Sequence, residues 1–375
     1  MKYDYYINNE QVKQSHERLK RAYRMEEIDH VPIVEMTSGS LGYSIYEIAY
    51  DEDKMLKQQL NNISLTMRHK TDFCPFLEPW HCVPIYVEPF GTEIIWFENE
   101  WPATKPIIYD NPMDVYKLKP KKVWESDLWK KLKKTIEHFQ KYTHGDIPVS
   151  TTDPQGPMAN ATLLWQTDEF FVACYTNPKE VHYIMNLLTE QFIEYYDAQL
   201  KIIDNPAFPG HSFPLGESGR GISISDDNAV MLSPALYEEF CLPYYAKISE
   251  YYNGLYLHSC GNFMHNLGSM LKIPKLRAIN YHSSPKDMDP FKAREIVKDK
   301  CAIWTAVSLP EVGFDGNRPP LEELYENYYV PGNIQGDNKG IILSGFGAYY
   351  GTPDITPEEQ NKRYDWIVGL TKRGL

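Results

Sequence analysis

Leu-Tyr-Leu-His-Ser-Cys-Gly-Asn, residues 255–262, places a histidine and a cysteine two residues apart at the end of an apolar run. Residues i and i+2 of a strand project from the same face, so His258 and Cys260 can converge on one point. Gly261 and Asn262 carry turn chemistry, which predicts that the pair lies at the C-terminal end of a strand. One interpretation is a zinc site, because imidazole and thiolate both bind zinc. The alternative is a pocket lined by the two side chains without metal.

Strand and helix patterns alternate on both sides of this stretch. The predicted strands are 31–36, 71–78, 147–152, 221–225, 255–258, 277–281, 302–307 and 341–343. Alternating units of this kind imply parallel strands joined by right-handed crossovers. Eight of them predict an α/β fold, a (β/α)8 TIM barrel formed by residues 1–375 as a single domain. Period-2 alternation in residues 82–87 and 92–97, with Pro89-Phe90-Gly91 between them, predicts a β-hairpin inserted after the second strand within residues 81–108.

Composition and charge limit the possible partners. The formal net charge of −13 and the pI near 5.4 argue against nucleic-acid and anionic-membrane surfaces, which need clustered basic residues. The sequence has no run of about 18 apolar residues and no apolar segment at its N-terminus, so we expect a cytoplasmic protein. Six cysteines without a C-x-x-C pair indicate neither a disulfide framework nor a zinc ribbon. The expected partner is a small molecule or another protein.

Several short motifs together resemble a known family over nearly the whole chain. They are Glu17–Ala22, Asp29–Pro32, Pro89–Glu93, Gly156-Pro157, Ser225–Asp227, Ser233-Pro234, Leu257–Asn262 and Gly351–Pro353. In this order and spacing they resemble the uroporphyrinogen decarboxylase superfamily, whose other large branch is the corrinoid-dependent methyltransferases. The resemblance implies a (β/α)8 barrel, in agreement with the strand pattern, with an active site at the C-terminal ends of the strands.

Specific residues favour the methyltransferase branch. The decarboxylases carry an arginine-rich signature after the first strand that binds substrate carboxylates, whereas this chain has Thr37–Gly42 there, without arginine. The resemblance to the methyltransferases implies a zinc ion bound by H-x-C and by a second cysteine after the last strand. Phe346 stands at or near that cysteine's position. The chain also lacks a D-x-H-x-x-G cobalt-ligand motif, so cobalamin would be carried by a separate corrinoid protein.

With Phe346 in place of a cysteine, the third metal ligand has to come from elsewhere. Glu217, in the loop before the Ser225 strand, and His282, just past the sixth strand, are the candidates for completing a site with His258 and Cys260. Asp226 and Asp227 follow a strand, where a carboxylate can orient a ligand or a metal-bound imidazole. With His258 they are the predicted catalytic residues. The expected substrate-binding residues are Trp80, His81, His211, Arg220, Phe346 and Tyr349.

The resulting hypothesis is a methyltransferase that moves a methyl group between a small methylated substrate and a separate corrinoid protein. An aromatic methyl ether is one such substrate, since the predicted mouth is rich in aromatic residues. Two alternatives remain open at this point: a decarboxylase of a tetrapyrrole-like or other carboxylated substrate, and a non-catalytic ligand-binding barrel. The sequence leaves open the methyl donor, the direction of transfer and whether the chain forms a homodimer.

Overall fold

A parallel β-sheet positions the polar residues of the second half of the chain. The computed structural model describes residues 9–283, 288–307, 321–345 and 356–373. Within these ranges six parallel strands pair in the order β1-β8-β7-β6-β5-β4. Their bounds are β1 Ile33–Val34, β4 Ile222–Ser225, β5 Leu255–His258, β6 Leu276–Ser283, β7 Ala302–Val307 and β8 Ile341–Ser344. All pairings in the sheet are parallel, as the alternating pattern predicts.

The segments predicted as the second and third strands lie between β1 and β4. Backbone hydrogen bonds connect them in turn: Asp72 N to Ile33 O at 2.9 Å, Leu77 N to Pro148 O at 2.8 Å, and Ser225 N to Pro154 O at 3.0 Å. Leu77 and Val149 form an isolated parallel bridge rather than a continuous ladder. The prolines within these segments lack an N–H, so they cannot donate the hydrogen bonds that a continuous ladder needs. The predicted α/β barrel architecture is therefore confirmed, with regular strands at six positions and isolated bridges at the other two.

Helices cover the outside of the sheet, and many begin where the sequence signals a start. Ser126 and Ser233 cap two of them, and Pro234 occupies a first helical position. The helices are α1 Glu10–Tyr23, α2 Ile45–Tyr50, α3 Glu52–Thr66, α4 Asp127–Thr143, α5 Pro157–Leu164, α6 Thr167–Thr176, α7 Pro178–Leu200, α8 Pro234–Phe240, α9 Leu242–Tyr251, α10 Leu267–Met270, α11 Pro290–Val297, α12 Leu321–Leu324, α13 Val330–Ile334 and α14 Pro357–Arg373. None of the helices in the described ranges is both long and apolar enough to cross a membrane.

A two-stranded antiparallel ribbon lies within residues 81–108. It consists of β2 Glu93–Ile95 and β3 Ala103–Lys105, with Glu93 paired to Lys105. The earlier part of the segment differs from its prediction, because residues 83–86 and 88–90 form 3-10 turns instead of a strand. Pro84 and Pro89 sit inside these turns, where their fixed φ suits a helical turn and their missing N–H prevents a ladder.

A close backbone approach joins the strands that carry the site. Gly221 and Gly254 immediately precede β4 and β5 and adopt φ angles of 122° and 147°. A Cβ on Gly221 would lie 2.4 Å from the carbonyl carbon of Gly254, so neither position accepts a side chain without moving the backbone. The resulting register places Ser225 opposite His258. Residues that follow β4 and β5 consequently emerge side by side.

Candidate active site

Three side chains meet just past the C-terminal ends of β4 and β5. His258 is the last residue of β5, Cys260 lies two residues after it, and Asp227 lies two residues after the end of β4. The Cys260 Sγ is 3.4 Å from Nε2 of His258, and the same nitrogen is 3.8 Å from Oδ1 of Asp227. The ligand atoms of all three residues lie within 4.8 Å of one another. His258 is buried whereas Cys260 and Asp227 are exposed, so the cluster opens toward the mouth of the barrel.

Asn280 determines which nitrogen of His258 carries the proton. The Nδ2 group of Asn280 donates to the carbonyl of Trp304 at 2.9 Å, which leaves Oδ1 as an acceptor. That Oδ1 lies 2.5 Å from Nδ1 of His258. Nδ1 therefore donates, and the lone pair of Nε2 faces Cys260 and Asp227. A hydrogen bond from the distal ring nitrogen is the usual way in which proteins orient a metal-binding histidine.

The donor set suits zinc. In a tetrahedral zinc site with usual bond lengths, neighbouring nitrogen, sulfur and oxygen ligands are about 3.5 Å apart, close to the 3.4 and 3.8 Å separations found here. Burial lowers the pKa of His258, against the opposing effects of Asp227 and Asn280, and so favours the neutral, ligating form. Partial burial and the nearby Asp227 carboxylate raise the pKa of the Cys260 thiol to about 12. Without a cation, Cys260 is therefore a thiol, and a bound metal would make it a thiolate.

A second polar cluster lies beside the first. The imidazole of His211 sits between two carboxylates, with Nδ1 2.7 Å from Oε1 of Glu78 and Nε2 3.2 Å from Oδ1 of Asp153. Burial alone would lower the pKa of His211, but Asp153 and Glu78 outweigh it and raise this pKa to about 9. The charge of His211 in turn helps to lower the pKa of His258. The two clusters therefore belong to one electrostatic neighbourhood.

An apolar cavity of about 280 Å³ adjoins the second cluster. Phe73, Phe76, Phe213 and Trp304 contribute its aromatic walls, and Glu78 and His211 lie at its polar end. The indole Nε1 of Trp304 donates to the carbonyl of Ser212 at 2.8 Å, which holds the ring in place. This volume lies at the low end of the range of about 300–1,000 Å³ that drug-sized ligands occupy, so the cavity suits a small substrate.

Two predicted site residues lie far from the cluster. Glu217 is hydrogen-bonded to Arg24 and stands 3.5 Å from Nε of Arg220. Their loop precedes β4, and Asn253, which precedes β5, donates to Gly219 within it at 2.9 Å. The loop therefore belongs to the N-terminal end of the strands. The predictions of Glu217 as a metal ligand and of Arg220 as a substrate contact are wrong, because the barrel separates both residues from His258.

Two other predicted residues point into the helix layer. The ring nitrogens of His81 contact the carbonyl of Ala49 at 3.1 Å and the hydroxyl of Thr135 at 2.9 Å, and burial lowers the pKa of His81 to about 3. His81 is thus a satisfied core histidine, and its predicted contact with substrate is wrong. Asp226 is fully buried near Tyr237 and Tyr245, not with His258. Successive strand residues face opposite sides, which explains why Asp226 turns away from the mouth that Asp227 reaches.

The remaining predicted residues have mixed outcomes. His211 lines the cavity. Trp80 packs edge-on against Trp101, with ring centroids 4.1 Å apart, rather than against the cavity. His282 follows Asn280 on the same face of β6 but does not join the three-residue group. Phe346 and Tyr349 lie outside the described residues.

Sequence reasoning missed several side chains of the mouth. They are Glu78, Asp153, Asn280 and Trp304. Glu78 ends the segment predicted as the second strand and Asp153 directly follows the third, and such positions are where barrel active-site residues are usually found. That position was a usable signal for these two. Asn280 and Trp304 lie inside strands, where only the strand register shows which neighbours they meet.

The comparisons with known proteins agree with the fold. The family model of uroporphyrinogen decarboxylase (URO-D) matches residues 14–202 and 215–326. Among solved structures, a methyltransferase from Methanosarcina mazei is similar, with a TM-score of 0.67 and 18% sequence identity over 96% of this chain and 98% of that chain. No curated protein sequence gives a significant match. Because the family model covers well over half of the residues, the chain belongs to the uroporphyrinogen decarboxylase family.

Proposed function

We propose that this protein is a methyltransferase that moves a methyl group between a small methylated substrate and a separate corrinoid protein. The observation that carries the proposal is the His258–Cys260–Asp227 cluster at the C-terminal ends of β4 and β5. Trp304, which lines the small cavity, accepts at its carbonyl from Asn280, the residue that orients His258. Family membership and the likeness to a solved methyltransferase support it as context. Zinc is the proposed cofactor, and Asp227, instead of Glu217 or His282, is its proposed third ligand.

Zinc held by His258, Cys260 and Asp227 would act as a Lewis acid toward the substrate heteroatom that gains or loses the methyl group. Asn280 fixes His258 in the tautomer that presents Nε2 to the mouth. The main-chain N–H of Cys260 donates to Oδ1 of Asp227 at 2.8 Å, which holds this carboxylate beside the thiol. The described residues thus present three preorganised donors, and a catalytic zinc site would keep its fourth position for the substrate.

The corrinoid protein would approach the C-terminal mouth, because the interior of the barrel is filled by side chains. Tyr256 of β5 is buried below His258 and packs against Tyr23 and Phe213, with ring centroids 5.1 and 5.5 Å apart. A macrocycle cannot pass this layer. The methyl group, the substrate heteroatom and the acceptor must also be in line, so the cavity beside His211 would have to orient the substrate from one side.

A decarboxylase that acts on a polycarboxylate is less compatible with the cavity. Glu78 and His211 are its only titratable lining residues within the described part of the chain, and no lysine or arginine lines it there. A substrate with several carboxylates would find a single lining cation, His211, which already pairs with Glu78. A tetrapyrrole would also exceed a volume of about 280 Å³.

Two measurements test the proposal. The first is the metal content of the purified protein, for which we expect one zinc per chain, lost in His258→Ala and in Asp227→Ala and retained in Glu217→Gln. The second is demethylation of methoxylated aromatics, methylamines and methylthiols in the presence of a Co(I) corrinoid protein. His258→Ala should reduce the rate by about 10²-fold or more.

Opposite outcomes would reject specific parts of the proposal. Stoichiometric zinc that survives both His258→Ala and Asp227→Ala would place the metal elsewhere. Absence of methyl transfer with all three substrate classes, together with turnover of a carboxylated porphyrinogen, would assign the protein to the decarboxylases.

A further inference from the structure

The aromatic cavity beside Glu78 and His211 has a charge pattern of its own. Its walls are phenylalanine and tryptophan rings, and its polar end is formed by Glu78 and His211. Aromatic faces carry partial negative charge and attract cations, above all alkylammonium groups that lack strongly bound water. An aromatic wall beside a carboxylate is therefore more favourable for a cationic group than for a neutral group of the same shape.

The three residues Glu78, His211 and Asp153 keep a net negative charge in either protonation state of the histidine. Both carboxylates contact the one imidazole of His211, although Asp153 does not itself line the cavity. Among the described residues of this cluster, one positive charge at most faces two negative charges, so at least one negative charge stays uncompensated beside the cavity. The formal net charge of −13 for the whole chain also favours the approach of cations over anions.

Glu78 is held in position by its main chain. Its N–H donates to Oε1 of Gln59 at 2.8 Å, and its carbonyl accepts from Nε2 of the same glutamine at 2.6 Å. The carboxylate is thus presented from a fixed backbone, with His211 as a side-chain partner. A replacement by glutamine removes the charge and leaves both main-chain hydrogen bonds available.

We infer that this cavity binds an alkylammonium end of the substrate, with Glu78 and the ring of Trp304 as the recognition elements. The inference rests on the proposed function and names its substrate class: a small methylated alcohol, thiol or amine that also carries an ammonium group. The ammonium group would occupy the cavity, and the heteroatom that exchanges the methyl group would extend toward His258 and Cys260. Anionic substrates of the same size would be excluded.

Binding of three molecules of nearly the same shape tests the inference by titration calorimetry, with a chelator present so that no zinc can bind a carboxylate probe, and without any corrinoid protein. The probes are choline, its neutral carbon analogue 3,3-dimethylbutan-1-ol, and the anion 3,3-dimethylbutanoate. We expect choline to bind about tenfold or more tightly than the neutral alcohol, and the anion to bind weakest. Glu78→Gln should abolish the preference for choline while it keeps the affinity for the alcohol, which also shows that the variant is folded.

Two further variants test the contribution of the aromatic ring to choline binding and the specificity of the Glu78 effect. Trp304→Leu should weaken the binding of choline more than that of the alcohol, because it removes an aromatic face. Glu238→Gln is the control, since this carboxylate lies on the outer helix α8, where it binds Ser269 and Lys272, and neither affinity should change.

Equal affinities for choline and the alcohol, tighter binding of the anion, or a choline preference that survives Glu78→Gln would each overturn the inference. Its failure differs from failure of the proposed function. Methyl transfer from neutral substrates with no preference for cations would reject the inference alone. Selective choline binding without methyl transfer to any corrinoid protein would reject the methyltransferase and keep the cation site.

Discussion

Asp226→Asn should stabilise the protein increasingly as the pH rises. The Asp226 carboxyl is completely buried, and the Tyr245 hydroxyl and the main-chain N–H of Asn228 are the nearby donors that lower its pKa. Burial raises the pKa of Asp226 from 3.8 to about 7; the Tyr245 hydroxyl opposes this rise, and the Asp227 charge adds to it. Asparagine at this position cannot ionise, so the variant avoids the unfavourable buried charge.

The sign follows from proton linkage. Between the unfolded and the folded pKa values the folded state binds more protons, so the contribution of Asp226 to stability is lost as the pH rises through about 7. A rise from 3.8 to about 7 corresponds to about 4 kcal/mol at alkaline pH. About 2 to 3 kcal/mol of this change falls between pH 5 and pH 8.

Urea unfolding of wild type and Asp226→Asn across this pH range, with a chelator present, measures the difference. The chelator is needed because metal at the adjacent Asp227 would change the charge near Asp226. Glu238→Gln is the control, and its stability should follow the wild-type pH dependence. Parallel pH profiles for wild type and Asp226→Asn would refute the argument, because they would mean that the Asp226 carboxyl has the same pKa in both states.

Three other changes test the mouth and its support. His211→Gln should flatten the pH dependence of the unfolding free energy between pH 7 and pH 10. The raised pKa of His211 stabilises the fold fully below about pH 6.5, and this contribution is lost as the pH rises through about 9. An unchanged pH profile would contradict the ion pairs of His211 with Glu78 and Asp153. Asn280→Leu should weaken zinc binding about 10- to 100-fold in competition with a chelator, whereas Asn280→Asp should restore it; equal affinities in both variants would exclude the hydrogen bond as the cause. Gly156→Ala should destabilise the protein by about 1–3 kcal/mol in denaturant unfolding, because the alanine Cβ would lie 2.9 Å from the Tyr245 hydroxyl. An unchanged unfolding free energy would show that the Tyr245 side chain moves without strain.

The strand-helix alternation and the position of the H-x-C motif were readable in the sequence. Both depend on local periodicity: apolar runs of strand length, helix starts such as Ser233-Pro234, and the turn residues Gly261 and Asn262. The resemblance to the uroporphyrinogen decarboxylase family was readable for the same reason, since it depends on the order of short motifs along the chain, and the family model confirms it.

The tertiary structure alone decided which side chains meet. Asp227 joins His258 and Cys260 because β4 and β5 pair with Ser225 opposite His258, and a shift by one residue would have brought Asp226 to the mouth instead. Glu217 has the right chemistry for a ligand, but its loop lies at the opposite end of the strands. The spacing of residues in the sequence predicts which face of its own strand a residue occupies. The spacing does not predict which residue of the neighbouring strand lies beside that residue, because this depends on backbone pairing between segments that are distant in the chain.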